Sequence, residues 1–251
     1  MRYKQLLESA EHPYRETLEW KYFKNPELHT KYFENYLSYK KQPHLKQLQE
    51  DINYLADEQA GYGERYAFLF FAENEDLTDE MRAYLSENGF DLVKHIIFTS
   101  KIDHLQLSQK DVSPITITRL SEADLKAYVA SQYETNLIYG KAYADQMRHY
   151  NENHLLKDAS VIYLAKDDNE IVGALTAWYF EDYVEMDDFH VNENYRGRGI
   201  GSALQAKASE GVSNAILIAE EENRDMYQHQ GYQEVAYYWT ALKSDMRSRD
   251  V

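Results

Sequence analysis

The alternation of hydrophobic and polar positions divides the chain into short strand-like and helix-like segments. Alternating or continuous apolar runs of four to nine residues predict strands, whereas apolar residues at i, i+3 and i+4 predict helices. The predicted strands are YAFLFFAEN, DLVKHIIFTS, ITITRL, SVIYLAKDD, EIVGALTAWYFED, YVEMDDFHV, NAILIAE and YQEVAYYWTALK. Helical segments lie between many of them, so the order predicts an α/β or α+β sheet with helices on its faces.

Residues typical of helix ends delimit two of the predicted helices. Thr78 is a candidate N-cap and Gly89 a stop for the segment LTDEMRAYLSENGF. Ser121 and Gly140 have the same roles for SEADLKAYVASQYETNLIYG. Further helices are predicted over KAYADQMRHYNENHLL, GSALQAKASEGV and NRDMYQHQG.

The first 60 residues are rich in aromatic side chains, and their spacing predicts helical structure. In HTKYFENYLSYK, the residues Tyr32, Phe33, Tyr36 and Tyr39 fall on one face at helical spacing. This pattern favours a packed amphipathic helix over an aromatic ligand-binding box.

A domain boundary is predicted at LSQKDVSP, where polar residues and Pro114 separate two differently patterned regions. It divides the chain into residues 1–112 and 113–251. The stretch beginning FLFFAENEDL and the stretch beginning AILIAEEENR share the order strand, Ala-Glu, helix, Gly-aromatic, strand. This echo is either a decayed duplication or the common form of a strand-helix-strand unit, and the second interpretation is slightly favoured.

Composition narrows the class of protein. The 251 residues contain no Cys, which excludes disulfides, zinc-thiolate sites and a cysteine nucleophile. The formal net charge of −16 argues against nucleic-acid binding and leaves cationic molecules or basic protein segments as partners, although it also serves solubility. The sequence has neither a run of about 18 apolar residues nor the apolar core of a signal peptide. We therefore expect a cytoplasmic protein with no membrane segment.

The segment RGRGIG, residues 196–201, combines three glycines with two arginines between a predicted strand and a predicted helix. Glycines can adopt positive φ and expose the backbone, so that successive amides converge on an anion at the start of the helix. Such a turn fits a phosphate or a pyrophosphate. A Walker loop requires Lys and then Ser or Thr after the last glycine, and Ser202-Ala203 does not fit it. A dinucleotide fingerprint fits poorly, because Ser202 occupies the position of its third glycine.

RGRGIG fits the R/Q-x-x-G-x-G/A signature, and the C-terminal part of the chain resembles the GNAT superfamily of acetyl-CoA-dependent N-acetyltransferases. NRDMYQHQGY is similar to the second motif of that family, and NAILIAE joins the two motifs at the family spacing. The resemblance covers residues 113–251 in the family's order of elements. It implies a mixed central sheet with flanking helices.

The resemblance also implies which residues bind acetyl-CoA as cosubstrate. The pyrophosphate is expected on the backbone amides of the segment Arg196, Gly197, Arg198, Gly199, Ile200, Gly201 and Ser202. The pantetheine arm is expected between YVEMDDFHV and NAILIAE, pairing like a strand with the backbone near Phe189, His190 and Val191. Asn223, a candidate cap of the last helix, is expected to contact the same arm.

The reaction requires a base and an acid, and the resemblance assigns a residue to each. An amine of pKa about 10 must lose a proton before it attacks. Glu185 holds the strand position that carries the base in some family members, and Asp187 is the rival on the same face. A β-bulge would exchange faces, and a solvated acidic edge is the alternative for both residues. Tyr227 matches the tyrosine that protonates the coenzyme A thiolate, while His190 is interpreted as structural rather than as a base.

The sequence therefore predicts an N-acetyltransferase that transfers acetyl from acetyl-CoA to a primary amine by direct attack, without a metal. The acids of the YFEDYVEMDD stretch favour a cationic acceptor. The alternative is a catalytically inactive acyl-CoA-binding or regulatory module of the same fold, with a nicotinamide enzyme a distant third. Three roles stay open for residues 1–112, namely shaping the acceptor pocket, forming a homodimer surface, or being a degenerate GNAT half.

Overall fold

The structure of the protein is a computed structural model that describes residues 2–62 and 65–244. Internal contacts divide these residues into two compact units. The N-terminal unit contains the described residues of Met1–Lys4, Glu11–Ile96 and Ala236–Val251, and the C-terminal unit contains Gln5–Ala10 and Ile97–Val235. The predicted boundary after residue 112 does not coincide with this division, because residues 97–112 belong to the C-terminal unit.

The helices and strands predicted from residue 66 onward are present. The described residues form the helices α1 (Tyr3–Leu7), α2 (Leu45–Glu58), α3 (Asp79–Glu87), α4 (Glu122–Asn136), α5 (Lys141–His154), α6 (Ile200–Ala208) and α7 (Arg224–His229). They form the strands β1 (Arg15–Glu16), β2 (Trp20–Tyr22), β3 (Leu37–Tyr39), β4 (Ala67–Phe70), β5 (Asp91–Lys101), β6 (Thr116–Arg119), β7 (Val161–Asp167), β8 (Glu170–Phe180), β9 (Tyr183–Val191), β10 (Asn214–Glu220) and β11 (Gln233–Lys243). Within the described ranges, no helix is both long enough and apolar enough to cross a membrane.

The N-terminal unit has a mixed sheet in the order β1-β2-β3-β4-β11. Its pairs are antiparallel except for β3 and β4, which are parallel. Leu69 of β4 faces a core that includes the buried apolar residues of α2 and α3. Phe70, on the other face, stacks between Tyr36 (ring centroids 4.3 Å apart) and Tyr238 (5.5 Å). Burial of both faces explains why this strand is a continuous apolar run rather than an alternating one.

The prediction of a helix over residues 29–40 is wrong. Tyr32–Glu34 form one 3₁₀ turn, and Leu37–Tyr39 form strand β3. The buried Asn35 fixes the preceding turn, since its Nδ2 donates to the carbonyls of Leu28 (2.9 Å) and Lys31 (3.1 Å). β3 then pairs on both sides, with β2 and with β4. Tertiary pairing thus outweighs a helical spacing of aromatic residues, and these side chains separate onto two faces of the sheet.

The capping predictions have mixed outcomes. Thr78 is confirmed as the N-cap of α3, because its hydroxyl accepts from the amide of Met81 (3.2 Å). Ser121 precedes α4, but its hydroxyl donates to Asp124 (2.7 Å) instead of accepting from the helix. Asn223 occupies the N-cap position of α7 without a side-chain capping bond, so its predicted capping role is wrong.

The C-terminal unit has a mixed sheet in the order β5-β10-β9-β8-β7-β6. Its strands from β6 to β9 pair antiparallel, and β9 pairs parallel with β10. One face carries a core of Tyr128 from α4 with Ile162, Leu164 and Ala174. The other face carries α6, to whose Ala208 carbonyl the Tyr179 hydroxyl donates (2.8 Å). The sheet therefore has α4 on one face and α6 on the other.

His95 of β5 generates a prediction about stability and pH. Its ring stacks on Tyr238 and its Nε2 lies 3.1 Å from the Thr240 hydroxyl; burial lowers its pKa from 6.5 to about 4. Below pH 6.5 the unfolded chain binds a proton that the folded protein does not bind. Stability is therefore lost as the pH falls from 6.5 towards 4, by up to about 3 kcal/mol.

We expect urea unfolding to show a smaller loss of stability over this pH range for His95→Gln than for the wild-type protein. His12→Gln, at an exposed position, is the control and should keep the wild-type pH dependence. An identical pH slope for His95→Gln and the wild type would contradict the assignment.

Candidate functional site

The parallel ladder between β9 and β10 is short, and the two strands continue beyond it. The pairs are Asn214 with Tyr183, Ala215 with Val184, and Ile216 with Glu185. β9 then runs on to residue 191 and β10 to residue 220. Beyond the last pair, backbone groups of both strands face a gap and need partners other than each other.

A β-bulge in β9 determines which side chains face each side of the sheet. Thr176 of β8 lies opposite Asp187, whereas Ala174 lies opposite His190, so β9 contains one extra residue between these pairs. Asp188 within this stretch has φ 42°. The bulge lies after Asp187, not before it.

Residues that lie opposite each other in an antiparallel pair share a face, which places the acids of β9. Glu185 pairs with Trp178 and Asp187 with Thr176, on the face that carries α4. Met186 is on the α6 face, because it pairs with Ala177. The two candidate bases thus share a face, as the period of two predicts, and the predicted ambiguity from a bulge does not arise.

The glycine segment forms a turn that leads directly into α6. Gly197 and Gly199 have φ of 76° and 93°, in the region that favours glycine, and α6 begins at Ile200. The amide of Ala203 donates to the carbonyl of Gly199 (3.0 Å), as the first bond of the helix. The amides that precede Ala203 lie at the positive end of the helix dipole, where an anion is stabilised.

The two arginines of this segment are bound to backbone carbonyls that precede it in the chain. Arg196 donates from Nε to the carbonyl of Val191 (3.1 Å). Arg198 donates to the carbonyl of Asn194 (2.9 Å), and its guanidinium lies 4.7 Å from the ring centroid of Tyr195. Their side chains support the turn rather than lining the space in front of it.

A cavity of about 560 Å³ lies in the C-terminal unit, bounded by the glycine turn, β9, β10 and α7. Its apolar lining includes Met186, Phe189, Leu217 and Met226. Met186 and Leu217 are the first residues beyond the β9–β10 ladder, so the cavity opens where the strands part. Its size lies within the usual range for small-molecule sites.

Tyr227 of α7 lines this cavity and is partly buried. Its ring centroid lies 5.7 Å from that of Phe98 and 5.9 Å from that of Tyr232. Burial raises the pKa of Tyr227 above its usual value of 10. The phenol therefore keeps its proton at neutral pH and can donate it to a group in the cavity.

Three further polar residues of the predicted site, His190, Asp188 and Asp182, lie outside the cavity lining. His190 is exposed and lies opposite Ala174 on the α4 face, away from the cavity lining. Asp188 lies close to Tyr128 of α4, whose pKa is raised by burial and then by the charge of that carboxylate. The carboxylate of Asp182 accepts from the amide of Ser213 (2.9 Å), so this acid holds the start of β10.

Sequence reasoning missed the segment that follows β5. Its Lys110 lines the cavity and donates from Nζ to the carbonyl of Gly197 (2.8 Å). The amide of Ser108 donates to the hydroxyl of Ser202 (2.9 Å). These residues are part of the polar stretch interpreted as a domain boundary, and a lysine in such a stretch carries no periodic signal.

Comparison with known proteins agrees with this geometry. The family model described as "Acetyltransferase (GNAT) family" matches residues 126–232. This part of the chain is therefore similar to the GNAT family. A second model, described as a domain of unknown function (DUF5613), matches residues 1–95. Among proteins with curated descriptions, none matches the sequence.

Solved structures with the same fold support the GNAT assignment of the fold. A functionally unknown conserved protein from Staphylococcus epidermidis is similar over 98% of both chains, with TM-score 0.85 and 22% identity. A GCN5-related N-acetyltransferase from Sphaerobacter thermophilus has TM-score 0.56 and 14% identity over 89% of this chain and 75% of its own. One from Kribbella flavida has TM-score 0.56 and 12% identity over 87% and 84%. At these identities the likeness shows the fold alone.

The close approach of the glycine turn to β9 generates a prediction. A Cβ added to Gly201 would lie 2.9 Å from Cζ of Phe189. Gly201→Ala should therefore displace this half-exposed ring and lower stability to urea, by about 1 kcal/mol or less. Gly61→Ala is the control, because a Cβ there meets no atom within 4 Å.

The double variant Gly201→Ala with Phe189→Leu removes the ring edge and should recover much of this loss. Wild-type stability of Gly201→Ala, or a double variant no more stable than Gly201→Ala, would contradict this packing.

Proposed function

We propose that the GNAT region of this protein transfers an acetyl group from acetyl-CoA to a primary amine by direct attack. The observation that carries the proposal is the cavity at the point where β9 and β10 part, with the glycine turn and Tyr227 both on its wall. The proposal keeps the cytoplasmic location that the sequence predicts.

The cavity and its walls support a position for the coenzyme. Its pyrophosphate would bind the amides from Arg196 to Ser202, at the start of α6, where negative charge is stabilised. Its pantetheine arm would lie in the gap beyond Glu185 and pair with the backbone of β9 near residues 189–191. Met186 and Phe189 would then contact the arm on the α6 face.

The acceptor would reach the thioester from the opposite face of the sheet. Among the described residues, no β9–β10 pairing continues beyond Ile216 with Glu185, so backbone of the two strands does not close the gap to an acceptor from this face. Glu185 and Asp187 lie on the α4 face. Glu185 is the last residue of β9 that pairs with β10. A carboxylate here is placed to take a proton from an amine, directly or through a water.

The chemistry then consists of one addition and one elimination. The free amine attacks the thioester carbon, a C–N bond forms, and the proton of the amine passes to the carboxylate. The resulting oxyanion would accept a hydrogen bond from a β9 amide. Collapse breaks the C–S bond, and the phenol of Tyr227 supplies a proton to the thiolate.

The charge around the acceptor face favours a cationic acceptor such as a polyamine or a lysine side chain. Glu185, Asp187 and Asp188 lie together on β9, in a chain of net charge −16. Their field would attract a molecule that carries a second positive charge besides the reacting amine. Asp182 is less suited to this role, because its carboxylate binds Ser213 and Asn214.

Coenzyme A release from acetyl-CoA, measured over a panel of amines, peptides and aminoglycosides, tests the function. We expect turnover with at least one amine, and a kcat roughly 100-fold lower in Tyr227→Phe, with the KM for acetyl-CoA little changed. Tyr237→Phe is the matched control and should keep the wild-type kcat. Binding of acetyl-CoA without release for any acceptor would contradict the enzyme and favour an acyl-CoA-binding module.

Paired carboxylate variants identify the base. If Glu185 is the base, Glu185→Gln should lower kcat/KM at least tenfold and remove the carboxylate's contribution to the acidic limb of the pH profile, leaving the part that protonation of the amine causes. Asp187→Asn should lower kcat/KM for cationic acceptors only. Glu193→Gln, in the exposed turn before the glycines, is the control. An unchanged pH profile in Glu185→Gln would exclude it as the base. If Asp187→Asn lowered kcat/KM equally for neutral and cationic amines, the proposed attraction of cationic acceptors by the β9 carboxylates would be wrong.

A further inference from the structure

A segment of the C-terminal unit that precedes the GNAT match crosses the glycine turn. We call residues 105–110 the strap. At its start, the amide of Gln106 donates to the carbonyl of Gln230 at the end of α7 (3.0 Å). Farther along, Ser108 bonds to Ser202 and Lys110 to Gly197. The strap is therefore tied both to the helix of Tyr227 and to the turn that begins α6.

The contact between the strap and the turn depends on the absence of a side chain at Gly199. A Cβ there would lie 3.1 Å from Cβ of Lys110 and 3.4 Å from Oγ of Ser108. Gly199 also has φ 93°, so a substituted residue would be strained whatever the space around it. The same glycine thus gives the turn its shape and lets the strap approach it.

Lys110 is the one charged residue among the described residues that line the cavity. The arginines of the turn are engaged with the carbonyls of Val191 and Asn194. An ammonium group has three N–H donors, and the bond to Gly197 uses one of them. The remaining donors are held at the turn that leads into α6.

We propose that Lys110 binds the diphosphate of the coenzyme, and that the strap holds its ammonium in place before the coenzyme arrives. This inference rests on the proposed function, since it assigns a further residue to the same site. The carbonyl of Gly197 fixes the ammonium at the turn, so little side-chain entropy is lost on binding. In a chain with an excess of acidic residues, a fixed cation at this point offsets the repulsion of an anionic ligand.

The test compares ligands with and without phosphates on the full chain. Isothermal titration would give Kd for acetyl-CoA, for S-acetylpantetheine, which lacks the diphosphate, and for 3′-phospho-ADP, which lacks the arm. In Lys110→Met we expect Kd for acetyl-CoA and for 3′-phospho-ADP to rise roughly tenfold or more, with a weaker dependence on salt. Kd for S-acetylpantetheine should stay at the wild-type value. Lys110→Arg should recover part of the lost affinity.

Lys126→Met, on the exposed surface of α4, is the matched control and should bind all three ligands as the wild type does. Lys110 is itself exposed, so its replacement should leave the thermal unfolding temperature unchanged. Wild-type affinity of Lys110→Met for acetyl-CoA would overturn the inference while leaving the proposed function intact. So would an equal loss of affinity for S-acetylpantetheine, which would show a general packing effect. Failure of the wild-type protein to bind acetyl-CoA would instead overturn the proposed function, and the inference with it.

Discussion

The site depends on the early end of one parallel strand pair. β9 and β10 pair over three residues, and each strand then continues with backbone amides and carbonyls directed into a gap. Such groups are stabilised only by hydrogen bonds, and the neighbouring strand does not supply them there. An extended ligand with its own amides can supply them, and in the proposed function that ligand is the pantetheine arm of coenzyme A. The charged end of the coenzyme would then lie at the glycine turn.

Alternation along β9 gives this strand side chains on both faces of the sheet, and the bulge after Asp187 places Phe189 on the same face as Met186. Met186 and Phe189 face the α6 side and line the cavity, whereas Glu185 and Asp187 face the α4 side. The apolar side chains and the carboxylates are thereby separated by the thickness of a single strand. In the proposed function, this separation would let the coenzyme arm and the amine acceptor approach the gap between β9 and β10 from opposite faces.

The N-terminal unit contains a comparable strand pair whose ends are bridged by the protein itself. β3 and β4 are parallel, as β9 and β10 are. Lys4 donates from Nζ to Ser38 and Tyr39 of β3 and from its amide to Glu73, just after β4. α2, the helix that follows β3, begins after His44 without a glycine turn. This arrangement supports the hypothesis of a degenerate GNAT half, in which a lysine bridges the strand ends.

Patterns in the sequence predicted the helices and strands that lie between clear turn signals. They failed where tertiary contacts determine the secondary structure or the position of a side chain. The glycine turn and the place of Tyr227 on the last helix could be predicted, because the residue types and spacing of each motif determine the local backbone. Residues 29–40 were assigned to a helix, although pairing with β2 and β4 makes Leu37–Tyr39 a strand. Lys110 was missed, because its place at the turn results from the path of the strap and not from any local pattern. The side of the sheet on which Glu185 lies followed from its pairing with Trp178, which no local pattern gives.

Amide spectra of protein labelled with ¹⁵N at its ten glycines test the central claim most directly. On addition of coenzyme A, the account predicts large shifts for Gly197, Gly199 and Gly201, because a diphosphate would accept hydrogen bonds from this segment. The amides of Gly89, Gly140 and Gly211, in turns at other helix ends, should stay where they are. Saturating coenzyme A that moves none of the three loop glycines would contradict the account.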